Sequence, residues 1–290
     1  MKLKIQTKNK IFGFALILPT LIFLFAIILY PLISLLIMST YRYETLKNQV
    51  FVGLENYIEL VKDPVILLVL KNTLIYVGVT VFFTLLIGLG MALVLNMNIR
   101  GRTFFRLLLL LPAMLPSIVI VLIFYNLFHL RYGLIPYTLS FFTTPPSFLV
   151  DANYALLACC FVSIWESLPF AMLVLLAGLS SLPREVFESA KIDSASFLQT
   201  LRYITLPLLK ATVLVTLLIV TMDSFMVFSI PYVLTNGGPG YASETIAIHL
   251  YKISLFFFQF GKGAALAVIH TMIVLSISLI YLRVLRRGEK

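Results

Sequence analysis

The chain is poor in charge, in cysteine and in histidine. Only 12% of its 290 residues are charged, against about 25% in an ordinary soluble domain. With 61% hydrophobic residues and a mean hydropathy of +1.04, that scarcity excludes a soluble globular domain. The two cysteines, Cys159 and Cys160, are neighbours in one apolar stretch. Adjacent residues of a helix do not readily bridge, so they read as small hydrophobes and not as a redox pair. The three histidines, His129, His249 and His270, are scattered. No Cys-x-x-Cys or His-Glu-x-x-His spacing occurs, which leaves neither a metal-ligand set nor a hydrolase constellation. The phosphate-cradling Gly-x-x-x-x-Gly-Lys-Ser/Thr loop is also missing, so nucleotide hydrolysis by that device is not expected here.

Long apolar runs take the place of these features. Residues 11–39 form a run too long for a signal-peptide core, and no small-x-small cleavage pattern follows it cleanly. They read as a retained first membrane helix. Further runs of about 20 residues cover roughly 74–95, 107–129, 155–179, 206–230 and 264–285. In lipid each segment must satisfy its own backbone hydrogen bonds, so all six are expected to be helices. The expectation is an all-α polytopic membrane protein, one domain over residues 1–290. The outer links, 40–73 and 231–263, are expected to hold short helices at most.

The basic residues give an orientation. Fifteen of the 22 lie on one side: Lys2, Lys4, Lys8 and Lys10; Arg100, Arg102 and Arg106; Arg184, Lys191, Arg202 and Lys210; Arg283, Arg286, Arg287 and Lys290. Seven lie on the other: Arg42, Lys47, Lys62, Lys71, Arg131, Lys252 and Lys262. Positive residues stay inside, so both termini are expected in the cytoplasm of a prokaryotic inner or plasma membrane. The net charge of +10 is thus a topology signal and not a nucleic-acid patch.

One cytoplasmic link, 180–205, is unusually polar. Pro183 suits the first helical position and Glu185 the positive end of its dipole. Asp193-Ser194 competes for backbone donors and predicts a break. Ser196 with Gln199 has capping-box spacing, and Phe197, Leu201 and Ile204 give the second helix an apolar face. The expected unit is a helix–turn–helix on the cytoplasmic face, ending where Pro207 starts the fifth span.

That link resembles the coupling loop of binding-protein-dependent ABC importer permeases, which reads Glu-Ala-Ala, three residues, Gly, nine residues, Ile, one residue, Leu-Pro. Glu188, Ala190, Ile204, Leu206 and Pro207 fall at that spacing, with Asp193 and Ala195 flanking the glycine position. Ser189 stands for the first of the two alanines and Ser194 for the glycine; serine resists positive φ more than glycine does. The resemblance implies a type I importer permease fold, an ATP-binding cassette subunit docking at this loop, and two such subunits in the complex. It further implies a second permease subunit in a heterodimer and an extracytoplasmic solute-binding protein. ATP and Mg would be held by the ATPase, with no cofactor in this chain.

Further segments are similar to sugar permeases of the maltose and glycerol-phosphate type. They are Phe51-Val-Gly53-Leu-Glu-Asn56-Tyr57, Trp165 with Pro169-Phe170, and Leu234-Thr-Asn-Gly237-Gly238-Pro239. Thr245, Tyr251 and Gly261-Lys-Gly263-Ala-Ala265 complete the pattern. The branch often carries Phe-Asp where this chain has Phe228-Ser229. The resemblance implies import of a carbohydrate, a di- or oligosaccharide first.

Two acids, Glu166 and Asp223, fall inside expected spans. An acid at the bilayer centre costs roughly 2.5–3.5 kcal/mol, so each requires polar surroundings. Either they line a translocation pathway, where carboxylates accept sugar hydroxyls, or they bond between helices as structural groups. Tyr125 and Asn126 are further pathway candidates. A proton- or sodium-coupled transporter of a small polar solute is the alternative; it would often show two matching halves and needs no polar coupling loop.

Overall fold

The computed structural model describes residues 16–43, 48–97 and 100–288. Residues 11–15 of the expected first span, the lysines at 2, 4, 8, 10 and 47, and Glu44, Glu289 and Lys290 lie outside the described residues.

Helix dominates. α1 covers Leu16–Met38. It leads into a short antiparallel pair, β1 (Tyr41–Tyr43) and β2 (Gln49–Phe51), with Tyr41 opposite Phe51. The 40–73 link was expected to hold short helices at most, so the hairpin is a departure. The cross-strand Tyr41–Phe51 ring pair, centroids 5.4 Å apart, helps to hold it. α2 (Glu55–Lys62) precedes α3 (Pro64–Asn96). α3 starts well before residue 74 because Asp63 caps it, its carboxylate accepting from Val65 N at 2.9 Å, and Pro64 occupies the first turn.

The 107–129 run is not one straight rod. α4 (Arg102–Leu110) passes through a 3-10 turn, Leu111–Met114, and Pro116 takes an extended conformation before α5 (Ser117–Phe128). The two limbs bend by 97°. Pro112 and Pro116 supply no backbone donor and clash with the preceding turn, which accounts for the bend. α6 (Leu134–Leu139) and α7 (Ala152–Ser180) follow, then α8 (Arg184–Ile192) and α9 (Phe197–Leu208). α10 (Lys210–Met226) leaves α9 at 72°. Pro207 therefore lies inside α9 rather than opening the fifth long helix, and a π turn at Leu201–Thr205 precedes it. α11 (Ser229–Thr235), α12 (Ile246–Phe256) and α13 (Phe260–Gly288) complete the chain. Among the described residues four helices are long and apolar enough to cross a membrane, and counting each bent pair as one crossing gives six.

The described chain falls into two compact units, residues 1–62 with 250–271 and residues 63–249 with 272–290. In the first, buried Asn56 donates to the carbonyls of Ser39 (2.8 Å) and Tyr41 (3.0 Å), and Tyr57 bonds Ser39 Oγ at 2.7 Å. A Cβ at Gly261 would collide with the Tyr41 carbonyl, which explains a glycine there. The Phe51–Tyr57 and Gly261–Ala265 motifs are thereby brought into one packed corner.

In the second unit α3 and α7 form the main pair. Gly88 permits close approach, since a Cβ there would lie 3.1 Å from that of Ala171. Tyr76, Ile120, Cys159, Val162 and Ile230 are fully buried in the main core. Both cysteines are free and buried, as small hydrophobes should be.

Candidate functional site

Three irregularities converge in the second unit. Ser117 is the first residue of α5, just after the Pro116 break, and Ser229 opens α11, just after the break at Val227-Phe228. Their hydroxyls lie 3.0 Å apart. Glu166 stands on α7 one turn before the internal Pro169. Ser117 and Asp223, the latter in the last turn of α10, both act electrostatically on its side chain. Glu166 is half-buried and Asp223 exposed. Two carboxylates and two hydroxyls are thus gathered where the backbone of two helices is interrupted. In a membrane, interrupted backbone is tolerated where it lines a cavity or is buried in protein.

The other two pathway candidates part company. Tyr125 lines a cavity of about 410 Å³ with His129, Arg131, Val233 and Asn236. Asn126 does not line it; its Nδ2 donates to the Leu122 carbonyl at 2.8 Å, within its own helix. Neither Glu166 nor Asp223 lines that cavity. Phe228 and Tyr232 stack with centroids 4.8 Å apart and planes 19° from parallel. Ser117 and Ser229 were not singled out as pathway residues. Pro116 just ahead of Ser117 and the Phe-Ser departure from the family pattern are the sequence signals that could have found them.

The polar link folds as the helix–turn–helix its residues predict. Ser194 has φ +55°, so serine holds the left-handed conformation the family glycine supplies. Ala195 N donates to the Ala190 carbonyl at 2.9 Å and Ser194 N to the Lys191 carbonyl at 3.1 Å. That double closure ends α8 in a Schellman motif, in which Ala190, Asp193, Ser194 and Ala195 hold the C3, C-cap, C′ and C″ positions. The motif spacing is therefore turn geometry. Ser196 then caps α9, accepting from Gln199 N at 3.3 Å while its own N–H donates to Gln199 Oε1 at 2.7 Å. Pro183 is the residue before α8 and not its first.

Glu188 and Asp193 are exposed, Ala190 is buried, and Ile204 is half-buried. Leu206 and Pro207 are exposed at the α9 end, beside the π turn. The expected Phe197–Leu201–Ile204 face does not turn inward as a set, since Phe197 is 71% exposed. With it stand Ile192 (83%), Leu198 (70%) and Tyr203 (69%). Four large apolar side chains on a polar hairpin are the mark of a surface that a partner covers. Periodicity alone did not find Ile192 or Tyr203.

The Gly-Gly-Pro segment is also built tightly. Asn236, Gly237, Gly240 and Tyr241 all have positive φ. Asn72 donates to the carbonyls of Tyr241 (2.7 Å) and Glu244 (3.3 Å), and Ile246 N donates to Thr73 Oγ1 at 3.0 Å. Glu244 is fully buried with Oε1 2.6 Å from His249 Nδ1. None of Asn72, Glu244 and His249 stood out in sequence as a member of this site.

Residues 84–288 match the family described as the binding-protein-dependent transport system inner membrane component. The chain belongs to that family. This permease is 33% identical to the sulfoquinovosyl glycerol transport system permease protein SmoG of Agrobacterium fabrum, over 97% of this chain and 92% of that one. It is also 33% identical to the trehalose/maltose transport system permease protein MalF of Thermococcus litoralis, over 97% and 96%. Its fold matches, with a TM-score of 0.84 over the full length of both chains and 22% identity, a bacterial ABC transporter involved in import of the acidic polysaccharide alginate. Family membership makes this permease an integral inner-membrane component of a transport system, in accord with its apolar helices.

Proposed function

We propose that this permease carries a carbohydrate, a di- or oligosaccharide first, into the cytoplasm as one half of an ATP-driven importer. The observation that carries the reading is the cluster of Ser117, Glu166, Asp223 and Ser229 at the helix breaks. Carboxylates and hydroxyls accept and donate to sugar hydroxyls, and the Phe228–Tyr232 stack offers a flat apolar face beside them. Relatives named for a sulfoquinovosyl glycerol and for trehalose and maltose support the solute class. On this reading Tyr125 belongs to the outer part of the pathway, and Asn126, with one amide hydrogen held by the Leu122 carbonyl, contributes its remaining amide hydrogen and its side-chain oxygen.

The helical hairpin is the docking element for an ATP-binding cassette subunit. Glu188 and Asp193 are its charged contacts, and Ile192, Phe197, Leu198 and Tyr203 its apolar ones. The Schellman turn and Leu206-Pro207 make it a rigid lever on α10. The complex contains a second permease subunit, two ATPases that hold ATP and Mg, and an extracytoplasmic binding protein. The bias of fifteen basic residues to one side supports a cytoplasmic hairpin and cytoplasmic termini.

Two measurements test this. Uptake of labelled disaccharides into vesicles holding the complex should require internal ATP and survive a protonophore; the opposite pattern would favour an ion-coupled transporter. A cysteine at Ser196 should resist an impermeant reagent applied to intact cells, while one at Asn236 reacts. Labelling of the former would reverse the orientation.

A further inference from the structure

Away from the pathway and the hairpin, one groove pairs an apolar lining with unpartnered cations. It has a volume of about 500 Å³ and is lined by α3 between Ile87 and Leu95 and by Phe105 and Leu109 of α4. No polar side chain lines it. Gly90 leaves its floor open, since a Cβ there would meet no atom within 4 Å. From Ile87 to Leu95 the helix rises about 12 Å, close to the roughly 15 Å depth of one hydrocarbon leaflet.

α4 presents Arg102, Phe105, Arg106 and Leu109 at positions i, i+3, i+4 and i+7. Both arginines therefore share the stripe that lines the groove. The Nε of each is buried and has no hydrogen-bond partner among the described residues. None of the described ion pairs includes either side chain. A buried guanidinium donor without an acceptor is costly, and phosphate, like carboxylate, is an anion its fork fits.

We propose that this groove binds one anionic phospholipid, an acyl chain along α3 and the phosphate on Arg102 and Arg106. Basic pockets beside membrane helices select such headgroups. α4 has no acidic residue to receive the ammonium of a zwitterionic lipid, so the charge of the site favours the anionic class. The inner-leaflet placement rests on the orientation given under the proposed function; the binding itself does not.

Native mass spectrometry of the full-length chain, purified with its accompanying subunits, tests the site. Phosphatidylglycerol and phosphatidylcholine are the probes. One phosphatidylglycerol per chain should be retained, at least ten-fold in preference to phosphatidylcholine. Arg102→Gln with Arg106→Gln should abolish the preference, and Gly90→Leu, which fills the floor, should weaken retention at least ten-fold with both arginines intact. Equal retention of the two lipids, or retention unchanged in Gly90→Leu, overturns the proposal in favour of general annular lipid. If the variants reduce co-purification of a neighbouring subunit and leave lipid unchanged, a protein helix is the occupant and the proposal fails. Should the double arginine variant not fold, the lipid preference of the parent chain and the Gly90→Leu result decide. Solute uptake is not read, so failure here leaves the importer reading standing.

Discussion

Lys262 Nζ lies 2.6 Å from Glu59 Oε2, joining two segments far apart in the chain within the first unit. Arg42 reaches the other oxygen of the same carboxylate at 2.5 Å. The Lys262 hydrogen bond holds the Glu59 carboxyl below the usual glutamate value of 4.5; the charges of Lys262 and Arg42 add to this and partial burial opposes it. A depressed folded value stabilises the protein above the unfolded value, and the gain is lost as pH falls through the folded one.

Glu59→Gln should therefore lower thermal stability at pH 7 by no more than about 1 kcal/mol, the worth of a partly exposed pair. It should also flatten the acid-side loss below about pH 4.5. Melting of the detergent-solubilised protein between pH 7 and pH 3 reads both effects. An unaltered acid limb would mean that the pair carries no pH-linked stability.

Ser194 pays a conformational cost at φ +55°. Ser194→Gly should stabilise the hairpin turn by about 1 kcal/mol, and Ser194→Val should destabilise it by more, being branched. Amide hydrogen exchange across residues 184–200 should slow in the first variant and quicken in the second. Equal exchange in all three proteins would show that the turn is not strained.

Glu188 is exposed, and none of the described ion pairs includes it. Glu188→Lys should leave membrane insertion intact, weaken co-purification of the ATPase and cut ATP-driven uptake at least ten-fold. Normal assembly together with normal uptake would remove it from the docking surface.

Asp223, at the end of α10, interacts electrostatically with Glu166. Asp223→Asn keeps the shape and should lower or redirect sugar uptake with the complex assembled; Asp223→Ala should lower it further. Unchanged apparent affinity and rate in both would place the residue outside the pathway, whereas loss of assembly in both would mark it as a structural group.

Membrane class and the hairpin were legible in the chain itself because each rests on local signals, and the six spans were legible as apolar runs, two of them bent pairs of helices in the fold. Scarce charge and long apolar runs require helices in lipid, and the Asp193–Gln199 segment encodes its own turn and capping box. Asp63-Pro64 carried an equally local start signal that moves α3 well ahead of residue 74. Only the tertiary structure decided which polar groups meet. Ser117, Glu166, Asp223 and Ser229 come from four helices, Lys262 finds Glu59 across the chain, and the Nε atoms of Arg102 and Arg106 are buried without a partner among the described residues. Such pairings depend on where prolines bend the helices and on which small residues let them approach, and hydropathy along a single strand of sequence carries neither.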